Sequence, residues 1–450
     1  MPAAQFGLSA FERGRGNLPA LPVVNMFAEA VPTEESGVVL QSRAGLSDRA
    51  QTLGAGPVRQ VFKESGVLGG RLFSVSSSGF YDDGVFIGTI DGDGPVSMDG
   101  YEDLLFIAAG GGLWSYNGGT LANVAFPDGA NVTKVLVGAS RAICLRADTE
   151  TYYWSNVLSS TIGGLSFSSA ESQPDRLLDA LFMDDILILF GAGTVEFHPN
   201  TQDANLPFVP LEGRVFERGI RATGCATKVG STFAWVTDVN QVCIGDPETI
   251  VSNAGLEALI EASANVSLWT FTLEGTEFLA LRIDGATWVY SMRSRMWSQF
   301  YSYGQDNWVA QCFSGGVFGS AVDGKTLAWG AAHQDLGGVL ERRFRAGFPL
   351  NSGGVVINNV ALRTNPGQTP FLTGDYDTPM VEMRQSRDGG NTWGKWRAVS
   401  LGEQGEYRKK VQWTACGMAG QPSWLAEFRV TDPVPFRVSG VFVNEPWGGI

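Results

Sequence analysis

The sequence predicts an all-β protein: a β-propeller of six or seven blades followed by a small carboxyl-terminal β-domain or insertion. Three observations predict it. A hairpin unit recurs along most of the chain, its copies are spaced like propeller blades, and a glycine- and aromatic-rich composition suits a fold made of turns and strand cores.

The unit is an apolar strand, a short turn of Gly, Asp, Ser or Asn, and a second strand opening on aromatic or branched residues. It appears first as Leu72-Phe73-Ser74-Val75 to Gly79-Phe80-Tyr81, then as Leu105-Phe106-Ile107-Ala108 to Gly112-Leu113-Trp114. Further copies run from Ile143 to Trp154, Ile186 to Phe197, Phe233 to Ile244 and Phe278 to Tyr290, with a weaker one from Val317 to Trp329. The second strands open near residues 80, 113, 152, 195, 242, 288 and 327, so the spacing runs from 33 to 47 residues. A four-stranded blade takes roughly 40–50 residues. Each hairpin therefore supplies the two middle strands of a blade, and the segments between supply inner and outer strands.

Helical signal is scarce. The clean candidate is Ser252 to Ile260, a Ser or Asn cap followed by apolar residues at helical spacing, placed on the surface between two blades.

Charge divides the chain. Residues 338–450 hold 13 bases and 10 acids, a balance of +3, so residues 1–337 hold 19 bases and 36 acids, a balance of −17. The Gly-, Pro-, Asn- and Thr-rich stretches at 350–354 and 364–370 mark a boundary near it. The expected organisation is an amino-terminal segment, 1–50, that completes a blade or contacts neighbours; a propeller, 51–337; and a β-rich domain or closing blade, 338–450.

The 450 residues include 58 Gly and 13 Trp, with 44% hydrophobic and only 17% charged residues, which rules out a disordered chain. A net charge of −14 argues against a broad nucleic-acid or anionic-membrane surface. Five cysteines without a Cys-x-x-Cys pair read as small buried hydrophobes, not as a disulfide framework or zinc site. With two histidines, His198 and His333, most His-based metal and hydrolase chemistry lacks its parts. No signal-peptide pattern opens the sequence and no apolar run reaches about 20 residues, so a soluble chain made in a reducing cytoplasm is expected.

Several motifs invite chemistry and read better as turns. Ser386, Asp388, Gly390, Thr392 and Trp393 fit the Asp-box pattern Ser-x-Asp-x-Gly-x-Thr-Trp, a folded hairpin in which the carboxylate accepts turn N–H groups. Asp91, Asp93 and Glu102 superficially suggest a calcium loop, yet Pro95 and Val96 stand where a ligand and a Gly are needed. Gly319 with Gly324-Lys325-Thr326 fits the Walker A spacing, but Leu327-Ala328-Trp329 continues as a strand where a helix is required. Arg342-Arg343-x-Arg345 and Arg408-Lys409-Lys410 read as solvated edges, and most tryptophans as blade core. No catalytic, cofactor or metal residue is assigned.

Three stretches resemble one family, the packaged-DNA stabilisation or tail nozzle proteins of short-tailed bacteriophages (podoviruses). Near the start are Val23-Val24-Asn25-Met26-Phe27-Ala28-Glu29 and Leu40-Gln41-Ser42-Arg43-Ala44-Gly45-Leu46, with Ala44 at a usual Pro. In the middle come Asp184 to Gly191, Thr194 to Phe197, Pro207-Phe208, Ile250 to Asn253, Trp288 to Tyr290 and Met296-Trp297. At the end come Asp388 to Gly394, Leu401-Gly402, Gly405, Tyr407, Trp413 and Phe428 to Pro435. The resemblance implies a non-enzymatic virion protein: a homohexameric ring in the tail, below the portal and its adaptor, contacting tail fibres, a tailspike, or a plug or needle. DNA would be retained by it and pass through without sequence-specific binding. An acidic propeller suits such a channel wall, because each Lys or Arg on phosphate would add affinity. The alternative is a propeller glycosidase, sialidase or glycan-binding receptor protein of the tail, which would need paired carboxylates in one pocket if it cleaved sugar.

Overall fold

A computed structural model describes residues 3–10, 21–32, 37–90, 92–170, 173–348, 354–420 and 424–444. Among them, seven blades of three or four paired strands ring an axis. Their innermost strands are Val58–Phe62, Val96–Tyr101, Val132–Gly138, Leu177–Met183, Ala226–Val229, Val266–Leu273 and Ala310–Ser314. Each contacts the next, and the seventh contacts the first, so the ring closes. The propeller has seven blades.

Six of the seven hairpins seen in the sequence are the middle strands of four-stranded blades, and in the fifth blade Val242–Ile244 is instead the outermost strand. The middle strands are buried along almost their whole length because a neighbouring blade covers each face. In Leu104–Ala109, Leu105 and Ile107 pack toward the first blade while Phe106 and Ala108 pack toward the third. The same alternation sends Ile143 and Leu145 to the fourth blade and Ala142 and Cys144 back to the second. Outer strands lack a cover, and Leu165 of Ile162–Ser169 stands 91% exposed.

The fifth blade stops at three strands. The helix Ala254–Ala262 follows it, capped by Asn253, whose side chain accepts the N–H groups of Gly255 and Leu256. It is less superficial than expected, because Leu256 and Ile260 are fully buried.

The amino-terminal segment serves both parts of the molecule. Leu46–Thr52 pairs antiparallel with Lys325–Trp329 as the outer strand of the seventh blade. Val23–Val24 pairs parallel with Met296–Phe300 of the sixth blade and antiparallel with Arg342–Phe348. Arg342–Phe348 in turn pairs with Trp424–Val430, then Met380–Ser386, then Arg397–Ser400. One sheet thus runs from the sixth blade into the carboxyl-terminal region. A second sheet orders Met26–Ala30, Val38–Ser42, Arg437–Val443, Val355–Thr364 and Val411–Ala419, and the two face each other as a β-sandwich.

One expectation is corrected. Arg342 lies in a central strand, not on a solvated edge, and is fully buried. Its guanidinium donates to the carbonyls of Val434 at 2.7 Å, Val430 and Asp432, gathering the 430–434 loop around one side chain. Burial lowers its pKa to about 9. The other basic cluster is solvated as read: Arg408 and Lys410 are exposed, and Lys409 pairs with Glu406.

Candidate functional site

Three constellations stand out. The first lies on the propeller axis, where residues from all seven blades line two abutting cavities of about 1000 and 330 Å³. The larger opens at the starts of the inner strands and is walled by Arg59, Arg176, Arg221 and Arg282 together with Asp148 and Asp284. The smaller lies deeper, beside Asp99, Lys134 and Lys228.

The axial carboxylates act as ties between blades. Asp99 accepts the N–H of Gly100 at 2.9 Å and that of Val137, on the next blade, at 2.7 Å. Asp179 accepts Ala180 N–H and, across to the fifth blade, Gly224 N–H, both at 2.8 Å, and pairs with Lys134. Each sits near an inner-strand position where a side-chain oxygen supplies the acceptor that sheet pairing cannot. Burial nevertheless raises the Asp99 carboxyl to about 6, against the lowering effect of its two backbone bonds.

The second constellation is the Asp-box turn between Met380–Ser386 and Arg397–Ser400. Asp388 accepts the Thr392 N–H at 2.9 Å, the Thr392 hydroxyl at 2.6 Å and the Ser386 hydroxyl at 2.7 Å. These bonds, Thr392 foremost, hold its carboxyl down at about 2. Gly390 has φ +92°, which a side chain would strain. The Trp393 indole N–H donates to the Gly390 carbonyl, and its ring lies against the guanidinium groups of Arg345 and Arg384. Those arginines flank the buried Glu427 across three paired strands. The five Asp-box residues therefore form one turn folded over a row of charged side chains.

The third lies where propeller and sandwich meet. Arg43 is fully buried and meets Asp335 through two bonds, Nη1 to Oδ1 at 2.9 Å and Nη2 to Oδ2 at 2.6 Å. Its Nε donates to Asn25 Oδ1 at 2.9 Å, and its face lies over Phe300 and Trp308. Asp335 also accepts from Leu46 N–H and the Ser302 hydroxyl. Asn25, at φ +53°, donates to the Glu341 carbonyl. An Asn tolerates that left-handed backbone better than most residues.

Of the other motifs, Asp91 lies outside the described residues. Asp93 and Glu102 are not brought together, because the strand Val96–Tyr101 separates them. The carbonyls of Gly92 and Gly94 accept N–H groups of Arg59 instead. Gly324-Lys325-Thr326 enters a strand, with Lys325 on Asp48 at 3.1 Å. Trp154, Trp235, Trp288 and Trp308 are buried blade core. Among the described residues no group of three or more His, Cys, Asp or Glu is placed to hold a metal ion, and no helix is long and apolar enough to cross a membrane.

Sequence reasoning missed the axial arginines and the Arg43–Asp335 pair. Arg59, Arg221 and Arg282 belong to blades one, five and six, and ring closure alone brings them to one cavity. Asn25 and Arg43 did stand in the resemblance near the start, as a polar residue among valines and a lone cation beside an apolar strand.

Fold and site define a class: a seven-bladed propeller joined by a shared sheet to a β-sandwich, with polar side chains that tie strands together. Family comparison matches it part by part. The model described as bacteriophage P22 Gp10, beta-propeller, matches residues 15–315, and that described as bacteriophage P22 Gp10, beta-sandwich, matches residues 342–445. The chain belongs to the bacteriophage P22 Gp10 family. No curated protein sequence matches it.

Among solved structures, the chain is similar to PorZ, a surface component of the type-IX secretion system of Porphyromonas gingivalis, at 13% identity and a TM-score of 0.38. That match covers 79% of this chain and 46% of PorZ, so the chain spans under half of that protein. The Cps50 (Swd1) β-propeller domain of Myceliophteria thermophila gives 10% identity and a TM-score of 0.40, covering 64% of this chain and 99% of that one. YCF48 from Cyanidioschyzon merolae gives 10% and 0.40, covering 64% and 98%.

Proposed function

We propose that this chain is a non-enzymatic structural component of the phage tail. Six copies form a nozzle ring below the portal and adaptor, retain packaged DNA and guide it out during ejection. The observation that carries the reading is the pair of consecutive family matches, 15–315 and 342–445, which together cover most of the propeller and the carboxyl-terminal strands of the sandwich.

The axial cavities, about 330 and 1000 Å³, have the volume of small-molecule sites rather than of a duplex. DNA would therefore run outside the propeller, through a lumen made by several copies. The balance of −17 over residues 1–337 suits a wall that does not hold phosphate. The carboxyl-terminal region, at +3, is left to contact fibres, tailspike, plug or adaptor.

A propeller glycosidase is the competing reading. Against it, both oxygens of Asp99 and of Asp179 accept backbone N–H groups, so these two carboxylates are ties between blades rather than the free pair that sugar hydrolysis uses. The test is mass measurement of purified protein and of phage particles. A ring of six 48.2-kDa chains, about 290 kDa, that co-purifies with virions supports the proposal. A chain absent from virions that cleaves glycan overturns it.

A further inference from the structure

The wide cavity on the propeller axis is walled by cations, although the region that builds it is acidic. Arg59, Arg221 and Arg282 come from blades one, five and six. Each is held on one side by carbonyls: Arg59 by Gly92, Gly94 and Ser77, Arg221 by Ser263, and Arg282 by Trp308 and Ala310.

Carbonyls orient these guanidinium groups without neutralising them. Burial accordingly pushes Arg59 and Arg282 below the usual arginine range, in Arg59 against the raising effect of Asp93. Three donors on residues that line the cavity are buried and have no partner: Arg59 Nη2, Arg221 Nε and the Trp269 indole N–H. A buried donor without a partner is destabilising, because its lost hydration is not replaced. The two carboxylates in the wall do not supply the missing acceptors. Asp284 accepts from Ala264 N–H, Asn265 N–H and the Asn265 amide, and Asp148 lies 3.6 Å from Arg176.

We propose that this mouth binds a small anion of the phosphate class, held by the guanidinium groups of Arg59, Arg221 and Arg282 and the indole N–H of Trp269. The three guanidinium groups come from three blades, and Trp269 shares the sixth with Arg282, so the donors approach the cavity from more than one direction. A planar carboxylate presents its oxygens in one plane, whereas a tetrahedral phosphate presents them in several directions, and guanidinium forks suit it. The volume, about 1000 Å³, admits an organic phosphate as well as the inorganic ion. The site stands independently of any role in the virion.

The test is calorimetric titration of the full chain with pyrophosphate at low ionic strength, alongside citrate and adenosine diphosphate. One site per chain is expected. Arg221→Gln should weaken it at least tenfold, and Trp269→Phe, which keeps the ring and removes its N–H, about threefold, with unchanged thermal unfolding. A preference for adenosine diphosphate assigns an organic phosphate and a preference for pyrophosphate the inorganic anion, and either supports the proposal. No binding, binding untouched by both substitutions, or citrate bound as well as the phosphates overturns it.

Discussion

Arg43 and Asp335 form a buried two-point ion pair across 292 residues of sequence, joining the amino-terminal segment to the connection between seventh blade and sandwich. The pair is fully satisfied, since Asn25, Ser302, Leu46 and two carbonyls take up its remaining hydrogen-bonding groups.

Removing one partner strands a charge in the interior. Asp335→Ala is expected to lower stability by about 3–5 kcal/mol, the usual result of breaking a buried pair. Replacing both partners, as Arg43→Met with Asp335→Leu, should cost much less. Urea unfolding of the three chains checks this; equal losses in the single and double variants would show that the charges are not coupled.

The axial tie at Asp99 predicts a pH dependence. Its carboxyl is raised to about 6, against about 3.9 in an unfolded chain. The folded state therefore binds the extra proton, and this group's contribution is complete below about pH 4 and lost as pH rises through 6. Asp99→Asn should flatten the stability profile between pH 4 and 7. An identical slope in both proteins would contradict the shift.

Asp388 has the opposite sign. Its carboxyl is depressed to about 2, so its stabilisation of the turn is full above about pH 4 and lost as pH falls toward 2. Hydrogen exchange at the Thr392 amide should accelerate, relative to the intrinsic rate, over that interval and not above it. Protection unchanged down to pH 2 would mean that the carboxylate does not hold the turn.

All five cysteines are buried, and Cys312, between the seventh and first blades, is pushed up to about 12 by burial. Native protein should therefore resist thiol reagents. Deleting residues 1–52 removes the outer strand of the seventh blade, two strands of the sandwich and Arg43, and should make Cys312 and Cys416 the first pair of thiols to react. Mass spectrometry of the alkylated protein identifies them; labelling that starts elsewhere would contradict the closure.

The blades were legible because hairpin spacing is a local signal. Phe106 and Ile107 reveal a strand buried on both faces before any contact is known. What belonged to closure was hidden. Nothing near Leu46 announces that it pairs with Trp329, and nothing near Arg59 announces Arg221. Arg342 was misread because basic residues in sequence suggest solvent, whereas here carbonyls of the 430–434 loop surround the charge. The Asp-box turn was legible because all its bonds lie within eight residues, 386–393.

Image reconstruction of the tail in purified virions tests the central claim most directly. The account predicts a sixfold ring of this chain below the portal, with acidic residues of the propeller region facing a DNA-wide lumen. A virion lacking the chain, or a ring whose lumen is lined by Arg and Lys, would contradict it.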